Sequence, residues 1–291
     1  MRGQVRIAVL PILFSSLLLA LAAGGTRSQP ARPSAVVYEA FAIRCGVLSD
    51  RRVADLVKGA DPSRRMDIAA MMWLLKGSNG RVVLVDSGFH QAKFMEQRRV
   101  RDFVSPDPAV ARAGVTPDAV TEIVLTHMHW DHADGLDLFP NAHVWVQKEE
   151  FAYYTGEAWQ AKDTHSGIDA DNVLQVVQLN TQGRLTLIAG GSQEPIPGIR
   201  CYLGGRHTHA SQFLVVNAKA GTIVLASDNV ALYENLDKHA PITPSLDSSS
   251  NPAAQDRMRG FASSLRLIVP GHDPAVFTRF PEIAPGVVRI E

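Results

Sequence analysis

Three imidazoles and one carboxylate lie within six consecutive residues, His127-Met128-His129-Trp130-Asp131-His132. They follow the apolar run at residues 120–125, which predicts a buried strand. Alternate residues of an extended chain point to the same side, so His127 and His129 can bind one metal ion. Asp131 and His132 are adjacent and must diverge as the chain turns. We therefore predict a metal site, with a second ion as the natural target of Asp131 and His132.

The size and charge of the chain limit its class and its partners. It has 291 residues, of which 46% are hydrophobic, enough for a substantial core in one large domain. Its formal net charge is zero, and Lys and Arg are scattered along the sequence. Because no basic patch would displace counterions from a polyanion, we expect a small-molecule substrate and no nucleic-acid partner.

The N-terminal segment has the pattern of an export signal. Arg2 and Arg6 precede an apolar stretch at residues 7–23, which is followed by a small and polar segment at residues 24–30. This pattern predicts a signal peptide and short linker over residues 1–29, and a single domain over residues 30–291. An uncleaved anchor is the alternative, but the apolar stretch is short for a span of about 20 residues. We expect a periplasmic or secreted protein without stable membrane insertion after cleavage.

The chain has two cysteines, Cys45 and Cys201, and neither has the spacing of a zinc-ligand motif. Export would permit a disulfide between them, whereas the sequence does not place their α-carbons within bridging distance. A disulfide and two free thiols in strands therefore both stay open.

Short β-branched runs alternate with helical patterns along the chain. Strands are predicted at residues 36–43, 81–85, 120–125, 142–146, 199–203, 212–216, 222–225 and 265–269. Helices are predicted at residues 91–103, 117–119, 148–159 and 253–264. Four of these strands end just before Asp86, His127, Asp228 and His272. Because strands hold side chains rigidly, this placement of the polar residues favours an α/β protein with its site at the strand ends.

Three further segments each place a possible metal ligand, His207, Asp228 or His272, beside small residues. They are Gly204-Gly205-Arg206-His207-Thr208, Leu225-Ala226-Ser227-Asp228-Asn229 and Pro270-Gly271-His272-Asp273. Together with the His-x-His-x-Asp-His motif, they resemble the metallo-β-lactamase superfamily from about residue 36 to the C-terminus. The resemblance implies an α/β fold of the αββα sandwich type, in which two mixed sheets are flanked by helices.

The resemblance also implies a ligand set for two metal ions. It assigns His127, His129 and His207 to the first ion, Asp131, His132 and His272 to the second, and Asp228 to both as a bridge. A nitrogen-rich set without thiolate suits zinc, so we expect two Zn²⁺ ions, with iron, manganese or cobalt as other suitable metals.

Two residues outside this ligand set, Asp86 and His209, are candidates for supporting roles at the site. Asp86, in Val85-Asp86-Ser87-Gly88, matches the Asp-x-Gly turn of the family, which implies that it orients a ligand histidine without binding metal. An ordinary turn aspartate is the alternative. His209 lies two residues after His207, and it is the alternative ligand or a residue that faces the substrate.

The bridging aspartate points to a subset of the superfamily. β-Lactamases of this fold lack it, whereas hydrolases of thioesters, lactones and phosphoesters have it. The chain is most similar to N-acyl-homoserine lactonases, through Arg44-Cys45-Gly46, Gly271-His272-Asp273 and Phe280-Pro281-Glu282. The resemblance implies an exported metal-dependent hydrolase that opens N-acyl-homoserine lactone or related lactone rings by attack of a metal-bridging hydroxide, which is a quorum-quenching activity.

Asp131 and Tyr233 are the candidates for passing a proton to the leaving alkoxide. Tyr233 follows Asp228 by five residues, further than the family tyrosine, and packing is its alternative role. The alternative functions are a thioester hydrolase of the glyoxalase II kind and a phosphodiester hydrolase, both of which share the ligands. A non-catalytic metal-binding protein on the same scaffold is a third alternative.

Overall fold

Two long antiparallel strands form the centre of the fold, β1 (Tyr38–Arg52) and β2 (Arg65–Gly77). Successive residues of β1 face different hydrophobic cores, because side chains alternate along a strand. Ala40 and Ala42 pack in one core, and Phe41 and Ile43 pack in the other. Both faces of this sheet are therefore buried.

The computed structural model describes residues 35–291, which form one compact unit. The signal peptide and linker predicted for residues 1–29, and the start of the domain predicted at residue 30, lie outside the described residues. Within residues 35–291, no helix has both the length and the apolar character needed to cross a bilayer.

The other strands of the described part are β3 (Val82–Val85), β4 (Val100–Arg101), β5 (Glu122–Val124), β6 (His143–Gln147), β7 (Leu185–Ile188), β8 (Ser192–Ile196), β9 (Ile199–Leu203), β10 (Gln212–Ala218), β11 (Gly221–Ser227), β12 (Ile268–Pro270), β13 (Glu282–Ala284) and β14 (Val287–Ile290). Its α-helices are α1 (Ala92–Gln97), α2 (Pro106–Arg112), α3 (Trp130–Ala133), α4 (Lys148–Tyr154), α5 (Ala170–Thr181), α6 (Tyr233–Asp237), α7 (Ser250–Phe261) and α8 (Val276–Arg279).

The strands form two mixed halves that meet at a single register pair. In the first half, β1, β2 and β3 are antiparallel neighbours, and β3, β5, β6 and β7 run parallel. In the second half, β9, β10 and β11 are antiparallel, and β12 is parallel to β11. The pair Tyr38↔Ala218 joins β1 to β10, so the hydrogen-bonded ladder is continuous.

Helices cover the outer faces of the two halves. Residues of α2 and α5 pack in the core on one face of the first half, and residues of α7 pack with the second half. The core between the halves contains Trp73 of β2 and Leu214 of β10, both fully buried. This arrangement confirms the predicted αββα sandwich.

Several predicted elements are wrong in extent. The helix predicted at residues 91–103 ends at Gln97, because Arg99 and Asp102 have φ angles of 53° and 49°, and β4 lies between them. The strand predicted at residues 265–269 begins as the 3-10 helix Leu265–Leu267. The helix predicted at residues 148–159 is α4 followed by the 3-10 helix Glu157–Trp159.

The two cysteines are buried, free and in different cores. Cys45 lies in the core beneath α2 and α5, and Cys201 lies between the two halves of the sandwich. The disulfide alternative is therefore wrong. Burial raises the pKa of the Cys45 thiol to about 12.

Candidate metal centre

The ligand-type residues lie just after strands, in loops or, for Asp131 and His132, in the short helix α3. His127 follows β5, which is flanked by the parallel strands β3 and β6. Asp228 follows β11, and His272 follows β12, its parallel neighbour. Because parallel strands end at the same edge of a sheet, these loops converge between the two halves of the sandwich. His207 enters from the loop between β9 and β10.

His127, His129 and His207 bring three ring nitrogens to one point. Nδ1 of His129 lies 3.1 Å from Nε2 of His127 and 3.0 Å from Nε2 of His207. Oδ2 of Asp228 lies 3.2 Å from Nε2 of His207 and 3.7 Å from Nε2 of His127. A tetrahedral zinc site with Zn–N bonds of about 2.0–2.1 Å has ligand–ligand edges of about 3.3 Å. The spacing therefore suits the ligands of one ion.

Asp131, His132 and His272 form a second group beside the first. The carboxylate of Asp131 lies 3.8 Å from Nε2 of His132 and 3.7 Å from Nε2 of His272. Oδ1 of Asp228 lies 3.4 Å from Nε2 of His132 and 3.1 Å from Nε2 of His272. Asp228 thus contacts nitrogens of both groups, which is the position expected of a bridging ligand.

The second nitrogen of each histidine ring is held by the protein, which turns the first nitrogen toward the centre. Nδ1 of His272 lies 2.8 Å from the Ala69 carbonyl, and Nδ1 of His207 lies 3.2 Å from the Pro244 carbonyl. A ring nitrogen that faces a carbonyl carries a proton, so Nε2 is the nitrogen of each ring that can offer a lone pair to a metal. The remaining pairs are His127 with the Thr126 hydroxyl, His129 with the Ser166 backbone, and His132 with Asp86.

Asp86 orients one ligand histidine and does not face the centre itself. Its Oδ2 lies 2.8 Å from Nδ1 of His132 and accepts a hydrogen bond from the Thr126 hydroxyl at 2.9 Å. Its Oδ1 accepts a 2.7 Å hydrogen bond from the Thr126 N–H. Asp86 is fully buried, and its φ is 62°, a conformation that Asp and Asn tolerate better than most residues. This is the placement that the Asp-x-Gly turn implies.

We expect Asp86→Asn to weaken metal binding by about 10- to 100-fold, because the amide no longer fixes the tautomer and orientation of His132. Titration against a chromophoric chelator measures the metal affinity. Asp137→Asn is the control, since Asp137 is half-exposed and contacts His90. Unchanged affinity in Asp86→Asn would show that the Asp86 contact does not support the metal site.

The donor set fits two transition-metal ions. Nε2 of His132 and Oδ1 of Asp228 are buried without a hydrogen-bond partner in the described part of the chain. Leaving such atoms unpaired is costly, so they call for a ligand. The set contains five imidazoles and two carboxylates, which suits zinc.

Burial and the buried carboxylates set the charges of the centre. Burial lowers the pKa of His127 and His129 well below its usual value, which leaves both rings neutral as metal ligands must be. Burial opposes ionisation of Asp228, but His272 and His132 outweigh it and hold its pKa well below the usual range. Burial also opposes the charge on His132, but Asp228 and Asp131 outweigh it and raise the pKa to about 10. The carboxylates of Asp228 and Asp131 therefore favour positive charge at the centre, which bound metal ions would supply in place of the proton on His132.

Glu150 is a structural feature of the site that the sequence analysis missed. Its Oε1 accepts hydrogen bonds from the Met128 N–H at 3.2 Å and the Thr208 hydroxyl at 2.7 Å. Its Oε2 accepts from the Ala210 N–H at 2.6 Å. Glu150 therefore ties the segment of His127 and His129 to the loop of His207. Nothing in the sequence distinguishes Glu150 from its neighbour Glu149.

The structure does not bring Tyr233 to the substrate side of the centre. Tyr233 is buried in the same hydrophobic core as Trp73, and the Arg279 guanidinium lies 3.6 Å from its ring centroid. Burial raises the pKa of Tyr233 to about 12. The prediction that Tyr233 passes a proton to the leaving group is therefore wrong. Helix α6 begins at Tyr233 and turns its side chain into the core. Packing, the alternative role, describes Tyr233 in this structure.

His209 lies outside both ligand groups. Its ring stacks on Tyr153, with centroids 4.0 Å apart and an interplanar angle of 10°. His207 supplies the nitrogen at the centre instead.

A cavity of about 240 Å³ opens onto the centre. Its wall includes the ligand-group residues His129, Asp131, His207, Asp228 and His272. Leu48, Ile68 and Trp130 add an apolar surface. Gly167 lies against His129, where a Cβ would be only 2.8 Å from the ring carbon Cδ2, so this wall has no room for a side chain. A small organic molecule can therefore reach the ligand groups.

The family model described as the metallo-beta-lactamase superfamily matches residues 67–272, a span that contains all seven residues of the two ligand groups. Two relatives illustrate the sequence similarity. An N-acyl homoserine lactonase from a Bacillus species is 25% identical over 227 residues, which cover 73% of this chain and 84% of the relative. The lactonase AttM from Azorhizobium caulinodans is 24% identical over 181 residues, covering 61% and 66%.

Solved structures share the fold. A quorum-quenching N-acyl homoserine lactone lactonase superposes with a TM-score of 0.68 at 20% identity, covering 87% of this chain and 98% of that chain. AidC, a dizinc quorum-quenching lactonase, superposes with a TM-score of 0.61 at 15% identity, covering 87% and 94%.

Proposed function

This chain belongs to the metallo-β-lactamase superfamily of metal-dependent hydrolases, and from that membership we propose that it is a dizinc lactonase that opens N-acyl-homoserine lactone or related lactone rings. The contact of Asp228 with both ligand groups carries the proposal, since a shared carboxylate would hold two ions next to each other. The similarity to N-acyl homoserine lactonases supports the substrate class.

Zinc is the metal we propose. His127, His129 and His207 would hold one ion, and Asp131, His132 and His272 the other, with Asp228 shared. When bound, zinc ions polarise a substrate carbonyl and lower the pKa of water toward neutrality.

The protein orients the ligand rings, lines part of the cavity with apolar side chains and supplies a group for proton transfer. The rings of His132 and His272 donate hydrogen bonds to the Asp86 carboxylate and the Ala69 carbonyl, which fix both rings before substrate arrives. Leu48 and Ile68 give the cavity an apolar side that suits an acyl chain. Asp131 lines this cavity, so its carboxylate is our candidate to accept the proton released by the attacking water and to pass it to the departing alkoxide oxygen.

A substrate panel tests the proposal. Purified protein would be assayed on acyl-homoserine lactones, simple lactones, a glutathione thioester, a phosphodiester and a penicillin, with and without chelator. We expect lactone hydrolysis that chelator stops and zinc restores, with about two equivalents of zinc in the active protein. A preference for the thioester or the phosphodiester would replace the lactonase proposal with one of those activities. No turnover of any substrate by the zinc-loaded protein would contradict all three.

We further propose that the protein is exported to the periplasm or secreted, on the basis of the signal-peptide pattern in residues 1–29. N-terminal sequencing of protein recovered from the extracytoplasmic fraction tests this. We expect a mature N-terminus between residues 23 and 31. Intact protein confined to the cytoplasm or retained in the membrane would contradict the proposal.

A further inference from the structure

Two arginines lie side by side at the cavity, and neither forms an ion pair with any carboxylate of residues 35–291. Arg51, near the end of β1, and Arg98, just after α1, both line the cavity. The Arg51 guanidinium donates a hydrogen bond to the Arg98 carbonyl at 3.4 Å, so the two residues are in contact. Their position beside the ligand groups suggests a role toward the substrate.

The acids closest in sequence are already paired with other arginines. Asp55 also lines the cavity, but its carboxylate is half-exposed and pairs with Arg52 at 2.8 Å. Asp50 pairs with Arg65 at 2.6 Å and lies 3.7 Å from Arg99. Within residues 35–291, no carboxylate lies within 4.0 Å of the guanidinium of Arg51 or Arg98.

Both arginines are partly buried, which makes missing partners costly. Burial and the charge of Arg98 lower the pKa of Arg51 and outweigh the opposing charges of Asp131 and Asp55, neither of which forms an ion pair with it. The Arg98 guanidinium lies over the Trp130 ring, 5.2 Å from the centroid, and its Nε is buried without a hydrogen-bond partner in the described part of the chain. A buried donor without an acceptor loses free energy unless a ligand supplies one.

The charge of the cavity favours an anion as that ligand. The ligand groups contribute two carboxylates, Asp131 and Asp228, which two divalent ions would more than neutralise. Arg51 and Arg98 add two further positive charges on the same cavity. A guanidinium presents a planar fork of N–H donors that matches a carboxylate in geometry as well as in charge.

We propose that Arg51 and Arg98 bind a carboxylate on the acyl portion of the substrate, so that the preferred lactone carries an acidic group in addition to the ring that is opened. The inference rests on the proposed function and extends it to a substrate class. Leu48, Ile68 and Trp130 line the same cavity and offer apolar contacts for methylene groups between the ring and the carboxylate. Arg51 and Arg98 are specificity-determining residues in this arrangement, because they contact the substrate away from the scissile bond.

A pair of substrates that differ only in this group tests the inference. N-adipoyl-homoserine lactone carries a terminal carboxylate on a six-carbon acyl chain, and N-hexanoyl-homoserine lactone has the same length without it. We expect wild-type kcat/KM to be about ten- to a hundredfold higher for the adipoyl compound, the range for a charge-assisted hydrogen bond. The difference should lie mainly in KM.

Substitutions then assign the preference to the two arginines. Arg51→Gln and Arg98→Gln should each bring the two substrates close to parity, and Arg51→Lys should give an intermediate preference because it keeps the charge but loses the fork. Arg99→Gln is the matched control, since it removes the same charge from a neighbouring residue whose side chain is 75% exposed. Loss of the preference in Arg99→Gln as well would mean that overall charge is responsible, which would overturn the inference.

Binding measurements separate this inference from the lactonase proposal. Calorimetry on zinc-loaded protein would compare dicarboxylates from glutarate to suberate with monocarboxylates of the same chain length. We expect tighter binding of at least one dicarboxylate, and loss of that difference in Arg51→Gln and Arg98→Gln. Equal binding of both series by wild-type protein would overturn the inference. If the protein preferred dicarboxylates but hydrolysed no lactone, the anion site would be supported and the lactonase proposal would be contradicted.

Discussion

Asp228→Ala is expected to reduce hydrolysis to the level of chelator-treated protein. Asp228 is the residue whose carboxylate contacts nitrogens of both ligand groups, at 3.2 Å to His207 and 3.1 Å to His272. Without it, neither ion keeps its shared ligand, and the buried negative charge that attracts the cations is halved, since Asp131 supplies the other carboxylate of the two groups. We expect the metal content to fall from about two equivalents to one or fewer. Elemental analysis after dialysis, alongside lactone turnover, measures both effects.

Two further variants make the result specific to the carboxylate. Asp228→Asn keeps the volume of the side chain and removes the charge, so it should lose activity while it retains the fold. Asp256→Ala removes an exposed aspartate that pairs with His239, and it should keep both metal equivalents. If Asp228→Ala retained wild-type turnover, Asp228 would not bridge two catalytic ions.

Much of the site was predictable because its residues are held by local sequence. The spacing of His127, His129, Asp131 and His132 reflects the chain leaving β5 extended and then turning into α3. Asp228 and His272 follow apolar runs that the sequence identifies as strands. Such signals survive without knowledge of the fold because each depends on a few neighbouring residues.

The backbone contacts that hold those ligands in place were not predictable. The strand β2 was missed, since its residues 68–75 are all apolar and buried and show none of the alternation of a half-exposed strand. Yet the Ala69 carbonyl of β2 fixes His272, a residue 203 positions away. Any residue type can supply a carbonyl, so no sequence pattern identifies this contact.

Single side chains were misplaced for a related reason. The direction of the Tyr233 side chain depends on α6, and the contacts of Glu150 depend on the meeting of the segments at Met128 and Thr208. Arg51 and Arg98 reach the same cavity from distant parts of the chain. In the sequence these residues are indistinguishable from surface charges or from core aromatics. Long-range packing decides whether such a residue belongs to the site, and a single sequence does not reveal that packing.

His207→Ala and His209→Ala are expected to differ sharply, although the two imidazoles are only two positions apart. Nε2 of His207 lies 3.0 Å from Nδ1 of His129 and 3.2 Å from Asp228, so its removal takes a ligand from the first group. We expect His207→Ala to lose about one metal equivalent and most of its lactone turnover. His209 stacks on Tyr153 instead, and His209→Ala should keep both equivalents and lose about 1 kcal/mol of unfolding free energy.

The comparison of the two variants separates metal binding from packing, because losing a ligand lowers the metal content and losing the stacked ring lowers the free energy of unfolding. Metal content measured after dialysis reports the ligand, and denaturant unfolding of the zinc-loaded protein reports the stacked pair. His207→Gln adds a control of similar volume without an imidazole nitrogen. Loss of metal from His209→Ala but not from His207→Ala would reverse the assignment and place the wrong histidine in the first group. Because the loop between β9 and β10 turns through Gly204 and Gly205 against buried Asn229 and Asn251, it has little freedom to exchange one histidine for the other.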